Sequence, residues 1–525
     1  MSPARGDFGG PRWIGACLTA LAVVAQGLWL AREYPNAHLD ADLLSYLAYY
    51  RDWAAGAATP FGYTVPKVLP VALFGPTGSP EVSSALTLCA AAVGGAFVFL
   101  LAANLFGTAA AVLAAVAYVF DPLRSILTLR SSADLYVGVG LLAAMYALSI
   151  RAVVWAGVAI LVAALAKPLA LVCGLAVLVV PKITLSRRLV AVAIPFLAIP
   201  AISALDAALD GRPILAGILS LGLPDEHKAF VHVAQGPPLG WLDSLEMLFV
   251  DWFGRLLFAR TWPLVLIGAA LYAVRSVLAW RAGASDATSE SRSGVDPRLV
   301  VLTVPLLLTG AYVGLALLQP FVFFTRFFWV LSAALTILAA YGATAVASAA
   351  PLPRWGRAGL VTIFALALLA DRSDDFQWRK QLMLDPFETH AALAYRGVEV
   401  IADDSRCEGA AVVPLAYLPL AAWRVPAKLR RGDLCAIEDW AAGRGCARPT
   451  CVLVMPAAPT TQAAREASNR LLESGWAVEV SDGQGALVRA TAGQSTAAEE
   501  NAETVAPAQS PEPSWLEAEG RGAHT

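Results

Sequence analysis

Trp13-Ile14-Gly15-Ala16-Cys17-Leu18-Thr19-Ala20-Leu21-Ala22-Val23-Val24-Ala25-Gln26-Gly27-Leu28-Trp29-Leu30-Ala31 is an apolar run of about nineteen residues with no charged side chain. A helix rises about 1.5 Å per residue and a bilayer core is about 30 Å thick, so roughly 20 apolar residues suffice to cross it. The core of a secretory signal is shorter, about 7–15 residues, and ends at a small-residue cleavage site. This run ends instead in Leu28-Trp29-Leu30-Ala31-Arg32-Glu33-Tyr34-Pro35 and reads as a retained first transmembrane helix. The rest of the chain has the same character: 58% of its 525 residues are hydrophobic, 15% are charged, and the mean hydropathy is +0.62. A soluble domain carries about 25% charged residues, so this chain lacks the polar surface to dissolve in water. A net charge of -2 excludes a global electrostatic attraction for nucleic acid.

Further spans are predicted at 83–106, 108–121, 134–150, 152–166, 168–181, 188–205, 262–280, 299–318, 327–349 and 358–371, about eleven with the first. The pair around Lys167-Pro168 is short and reads as two thin helices or one broken one. The positive-inside rule places Arg5 and Arg12 in the cytoplasm, together with Arg151, then Lys182, Arg187 and Arg188. Arg275, Arg281, Arg292 and Arg298 form the next inner loop, and Arg354 and Arg357 the last. The chain is therefore expected in the cytoplasmic membrane, with residues 1–371 as the transmembrane domain. Its outer loops are 32–82, 121–133 and 206–261, and residues 372–490 form a small α/β domain outside the cytoplasm. Short apolar runs at Gly409–Pro414, Cys451–Met455 and Ala477–Val480 suggest strands, with a helix at Thr461–Ser474. The Ala-, Glu-, Ser- and Pro-rich tail 491–525 reads as disordered. Cys17, Cys89 and Cys173 lie in apolar spans, whereas Cys407, Cys435, Cys446 and Cys451 share the C-terminal domain. An even number of cysteines in an oxidising compartment points to two disulfides of undetermined pairing, and no Cys-x-x-Cys supports the zinc alternative.

The chemistry-bearing residues gather at the outer boundary. His38-Leu39-Asp40-Ala41-Asp42 opens an amphipathic interfacial helix rich in tyrosine, and Lys67 follows in the same loop. The plain reading of Asp40 or Asp42 is a helix cap, and that of Lys67 a snorkelling lysine. Asp121-Pro122 and Thr128-Leu129-Arg130-Ser131-Ser132-Ala133-Asp134 come next, where Asp134 too could be only a cap. Arg124, Arg130 and Arg326 are on the side where orientation does not need them, and ionised groups at a membrane boundary are costly and mark sites. Arg326 sits among six aromatic residues in Phe321–Trp329. It reads either as an anchor in the headgroups or as a guanidinium for a lipid phosphate. His227, Lys228 and His232 share one loop and read as solvated surface.

The combination resembles the GT-C-fold membrane glycosyltransferases, which include protein O-mannosyltransferases and the lipid A aminoarabinose transferase. The resembling features come in order over residues 13–371: the acid Asp40 after the first span, then Asp121-Pro122 … Arg130 … Asp134. Gly157-Val158-Ala159 through Ala166-Lys167-Pro168 and the late Arg326-Phe327 complete the set. Two features depart from the family pattern: Leu331–Leu338 lacks a proline often found after that arginine, and Asp-Ala-Asp replaces Asp-Glu. The resemblance implies a polyprenyl-phosphate-linked sugar donor and a glycan, lipid or protein acceptor. The sugar would be transferred on the outer face by one inverting displacement, as in a mannosyltransferase of the cell envelope. On this reading Asp40, then Asp134, would take or orient the acceptor proton. Arg326, with Lys67, Arg130, Lys167, Asp42 and His38 around it, would bind substrate and its phosphate. Asp40 and Asp42 offer hard oxygen ligands to a divalent cation, but residues two apart on a helix face different ways. The alternatives are a transporter or lipid flippase, against which the lack of an internal repeat counts, and a non-catalytic member of the same fold. No P-loop is present to power an ATP-driven pump.

Overall fold

The computed structural model describes residues 12–56, 67–180, 183–208, 262–285, 300–318, 329–380 and 384–403, with shorter pieces from Cys407 to Arg489. Arg326, Cys446, the histidines at 227 and 232, Lys228 and the tail 491–525 lie outside the described residues. The chain divides into two compact units, one built mainly of Met1–Thr59, Val65–Gly222 and Leu239–Glu388, the other mainly of Thr389–Thr525.

The first unit is helical because its apolar runs satisfy their backbone groups only within a helix. α1 is Arg12–Glu33, α2 Ala41–Ala54, α3 Val68–Phe74 and α4 Pro80–Phe106. Ser79 caps α4 by accepting the Val82 N–H, and Pro80 supplies the fixed first-turn φ. One residue, Gly107 at φ 92, turns α4 into α5, Thr108–Val119; that backbone region favours glycine. α5 gives way at Asp121-Pro122 to α6, Pro122–Leu129, with a bend of 49°. α7, Ala133–Ser149, and α8, Val153–Ala166, follow. A proline forces the residue before it out of helical geometry. Accordingly Lys167 is extended (φ -156, ψ 112), and Pro168–Val179 continues as tighter 3-10 winding rather than as an α-helical span. α9 is Leu185–Ala193, α10 Ala198–Ala208, α11 Trp262–Ser285, α12 Val300–Leu318, α13 Trp329–Ala349 and α14 Arg354–Arg379. Among the described residues, four helical stretches are long and apolar enough to cross a bilayer: Arg12–Glu33, Pro80–Phe106, Leu185–Leu205 and Trp329–Ala349. The bent pair α5–α6 makes a fifth.

α11 and α13 approach through glycines. A Cβ on Gly268 would stand 2.0 Å from the Leu338 carbonyl oxygen, and one on Gly342 would stand 2.2 Å from that of Leu264. Membrane helices pack by such close backbone approach, and backbone cannot swing aside as a side chain can. Gly268→Ala is expected to destabilise the bundle by about 1–3 kcal/mol, as overpacking does. Thermal unfolding in detergent would show it, and an unchanged midpoint would mean the helices are not held this closely.

The second unit contains a five-stranded sheet in the order β2-β1-β3-β5-β4. β1 is Ala410–Val413, β2 Leu434–Ala436, β3 Pro449–Val454, β4 Ala477–Ser481 and β5 Ala486–Arg489. β1 pairs in parallel with β2 and β3, while β5 runs antiparallel to both β3 and β4. The helix α15, Asp385–Asp403, precedes the sheet, and α16, Leu418–Arg424, follows β1. Cys407 and Cys451 form a disulfide across 44 residues, and Cys435 is disulfide-bonded as well. Cys17, Cys89 and Cys173 are free.

Candidate active site

The turn after α1 sets the first carboxylate. Ala37 N–H bonds the Tyr34 carbonyl at 3.3 Å and Leu39 N–H bonds that of Asn36 at 2.9 Å, which brings the chain round to Asp40. Asp40 is the N-cap of α2 with extended backbone, and its Oδ1 accepts the Asp42 N–H at 3.0 Å. Its Oδ2 accepts from both Nε and Nη2 of Arg130. The cap and the site are thus the same residue, with one oxygen serving each. Asp40 is 3% exposed, and a carboxylate that far from water needs such partners.

Arg130 is placed by α6. Asp121 caps this helix by accepting the Arg124 N–H at 2.7 Å, and every residue of the helix is buried. Arg130 closes it as the C-cap, Ser131 turns the chain at φ 47, and Ser132 accepts the Asp134 N–H to start α7. The Ser131 hydroxyl is 3.0 Å from that of Ser84 on α4, which ties the turn to its neighbour. Ser132 is therefore the cap, and Asp134 is released from that duty. Its Oδ1 accepts a hydrogen bond from the Lys167 Nζ at 2.7 Å. The extended residue before Pro168 presents that amine, which also stands 5.5 Å from the centre of the Tyr312 ring on α12.

Two acids and two cations named from the sequence are thus brought together as two ion pairs. Arg130 and Asp134 are four positions apart, so a chain span of at most about 14 Å joins the pairs. The other nominated residues sit nearby in the chain but have different partners. His38 Nε2 is 3.5 Å from Glu81 Oε1, and burial holds its imidazole below the ordinary pKa against the opposing charge of Glu81. Asp42 is part-buried in the first turn of α2. Lys67 precedes α3, with its Nζ 5.7 Å from the Tyr46 ring centre. Among the described residues no three His, Cys, Asp or Glu side chains gather to hold a metal. Both Asp40 oxygens already receive donors, which makes Asp40 and Asp42 a poor chelate.

Several partners were not singled out from the sequence. Arg372, on α14, pairs with Asp121 Oδ2 at 3.3 Å and donates to Thr336 Oγ1 at 2.6 Å. Its signal in the sequence, a charge at the end of the last span, is what any anchoring arginine gives. Arg124, noted only for its side of the membrane, is wholly buried. It donates to Gln26 Oε1 at 2.8 Å and to the Val119 carbonyl, and its guanidinium lies 5.7 Å from the Tyr118 ring centre. Glu388 accepts from Asn36 through both oxygens.

No family model and no curated protein matches the sequence. Solved structures do match the fold. ArnT from Cupriavidus metallidurans, bound to undecaprenyl phosphate, superposes with a TM-score of 0.52 over 91% of this chain and 98% of its own, at 14% identity. The Archaeoglobus fulgidus oligosaccharyltransferase in its apo form superposes with a TM-score of 0.50 over 84% of this chain and 69% of its own, at 13% identity. This chain has the GT-C fold of those membrane glycosyltransferases, and with it the architecture of a polytopic membrane protein.

Proposed function

We propose that the protein transfers a sugar from a polyprenyl-phosphate donor to an acceptor hydroxyl at the outer face of the cytoplasmic membrane, in one inverting displacement. The observation that carries this reading is the double ion pair Asp40–Arg130 and Asp134–Lys167 at the α6–α7 turn. Each buried acid is balanced by a cation, so the resting site is near neutral, yet two positive groups stand ready to change partner. The undecaprenyl phosphate bound to ArnT supports the lipid class of the donor.

In the reaction the acceptor oxygen attacks the anomeric carbon from the face opposite the phosphate. The new C–O bond forms as the sugar–phosphate C–O bond breaks, and the electron pair leaves with the polyprenyl phosphate. Asp40 takes or orients the acceptor proton. The donor phosphodiester carries one negative charge, and the departing phosphate gains a second as the bond breaks. Lys167, Arg130 and Arg326 therefore attract the leaving group more strongly in the transition state than in the ground state. That difference is the part of binding that accelerates the reaction. The eleven-span topology with an external C-terminal domain belongs to the same proposal, since it puts the pairs where a lipid-linked sugar can reach them.

The test is to reconstitute the chain in liposomes with a panel of undecaprenyl-phosphate-linked sugars, and to read the anomeric configuration of the product by NMR. Transfer with inversion is expected. Retained configuration would remove the single displacement. No transfer from any donor, by folded protein, would favour a non-catalytic member of the fold.

A further inference from the structure

We infer that Arg372 on α14, Leu384 just before α15 and Glu388 in the first turn of α15 together position the Asp40–Arg130 pair, with Glu388 and Arg372 as the polar anchors. This rests on the transferase reading for the meaning of that pair, not for the geometry. Glu388 commits both carboxylate oxygens to Asn36: the backbone N–H at 3.0 Å to each, and the side-chain amide at 2.6 Å. Asn36 is four residues before Asp40, and its own carbonyl holds Leu39 N–H, so little slack separates the clamp from the carboxylate. Arg372 grips Asp121, the cap at the start of α6, and Arg130 lies at the end of that helix.

The apolar contacts repeat the pattern. Leu384, 1% exposed, shares one buried cluster with Leu30, Tyr34 and Ala37 on the Asp40 side and with Ile126 and Leu129 on the Arg130 side, and Phe376 packs against it. One buried cluster therefore takes in the supports of both partners, and Leu129 is the residue before Arg130. These residues brace the turn after α1 against the helix α6, which α1 also meets through Gln26 and Arg124, at the spacing the ion pair requires. Hydrogen bonds to a carboxylate are the strong ones, and a displacement of about 1 Å at a reacting group can lower turnover about 100-fold. Glu388 is a positioning residue in this account: it meets no reacting atom.

The experiment compares Asn36→Asp, Glu388→Gln and the pair of substitutions in the full chain. Asn36→Asp sets two carboxylates against each other. In the pair the glutamine can accept the residue-36 N–H and donate to the new carboxylate, which restores the clamp with its polarity reversed. Each single substitution is expected to lower kcat about 100-fold with the donor KM unchanged, and the pair should recover most of it. Hydrogen exchange should rise together in residues 34–42 and 122–130 in the singles and fall back in the pair, a readout independent of turnover. Should Asn36→Asp not fold, Glu388→Gln alone decides, by kcat against KM and by exchange in the two segments. Singles that match the wild type in kcat and exchange would overturn the inference, as would a loss of kcat that the pair does not recover. A wild type that shows no transfer counts against the transferase reading, and the exchange result then judges the clamp by itself.

Discussion

Asp40→Asn is expected to lower transfer by about 100- to 10,000-fold, the range that a positioned proton acceptor contributes. The substitution is chosen because it separates the two duties of this residue. Asparagine is as good an N-cap as aspartate, so the hydrogen bond from the Asp42 N–H to the side-chain oxygen survives and α2 still starts where it does. The charge opposite Arg130 and the proton-accepting oxygen are lost. Arg130 keeps access to water, its side chain being 24% exposed, so the cost in stability should stay near about 1–3 kcal/mol. Initial rates in liposomes and thermal unfolding of the same preparation check both halves. Turnover that matches the wild type would remove Asp40 from the chemistry and leave it as a cap with an ion pair.

The second large effect is expected at Asp134–Lys167. Lys167→Met removes the cation paired with Asp134, whose side chain is 7% exposed. Breaking such a pair from one side costs about 3–5 kcal/mol, whereas replacing both partners by apolar groups of similar volume is often neutral. Thermal unfolding should therefore show Lys167→Met well below the wild type and Lys167→Met/Asp134→Leu close to it. Activity then distinguishes a structural pair from a catalytic one. If Lys167 stabilises the departing phosphate, the double variant regains its stability but stays about 100- to 1,000-fold slow, the size of effect for one lost electrostatic contact at developing charge. A double variant that recovers both stability and turnover would make the pair purely structural. The role of Lys167 would then pass to Arg326 or Arg130.

These two sites also show how far residues can be read before a fold is known. The helical spans were legible because hydropathy is a property of a local run: α1, α4 and α13 lie over the stretches 13–31, 83–106 and 327–349. The break at Lys167-Pro168 was legible for the same reason, since a proline acts on its immediate neighbour. Its outcome was open, and the structure resolves it as an extended Lys167 followed by 3-10 winding. The capping of α2 by Asp40 was a fair local inference. At Asp134 that inference fails, because the helix starts at Ala133: Ser132 is the cap, accepting the Asp134 N–H, and Asp134 falls inside the first turn. Competition between two neighbouring caps turns on a backbone angle that composition does not specify. The short strands β1, β3 and β4 were visible as apolar runs, whereas β2 and β5, three and four residues long, were not picked out.

The sequence by itself determined that this is a membrane chain with acids and arginines collected where helices begin and end, because burial in lipid and helix capping are decided within a few residues. Only the tertiary structure decided which charge meets which: Asp40 finds Arg130 across 90 residues, Asp134 finds Lys167 across 33, and Asn36 finds Glu388 across 352. The reason is physical. A buried charge must take a partner from whatever the packed bundle brings within hydrogen-bond reach, and that choice depends on how the helices pack against one another.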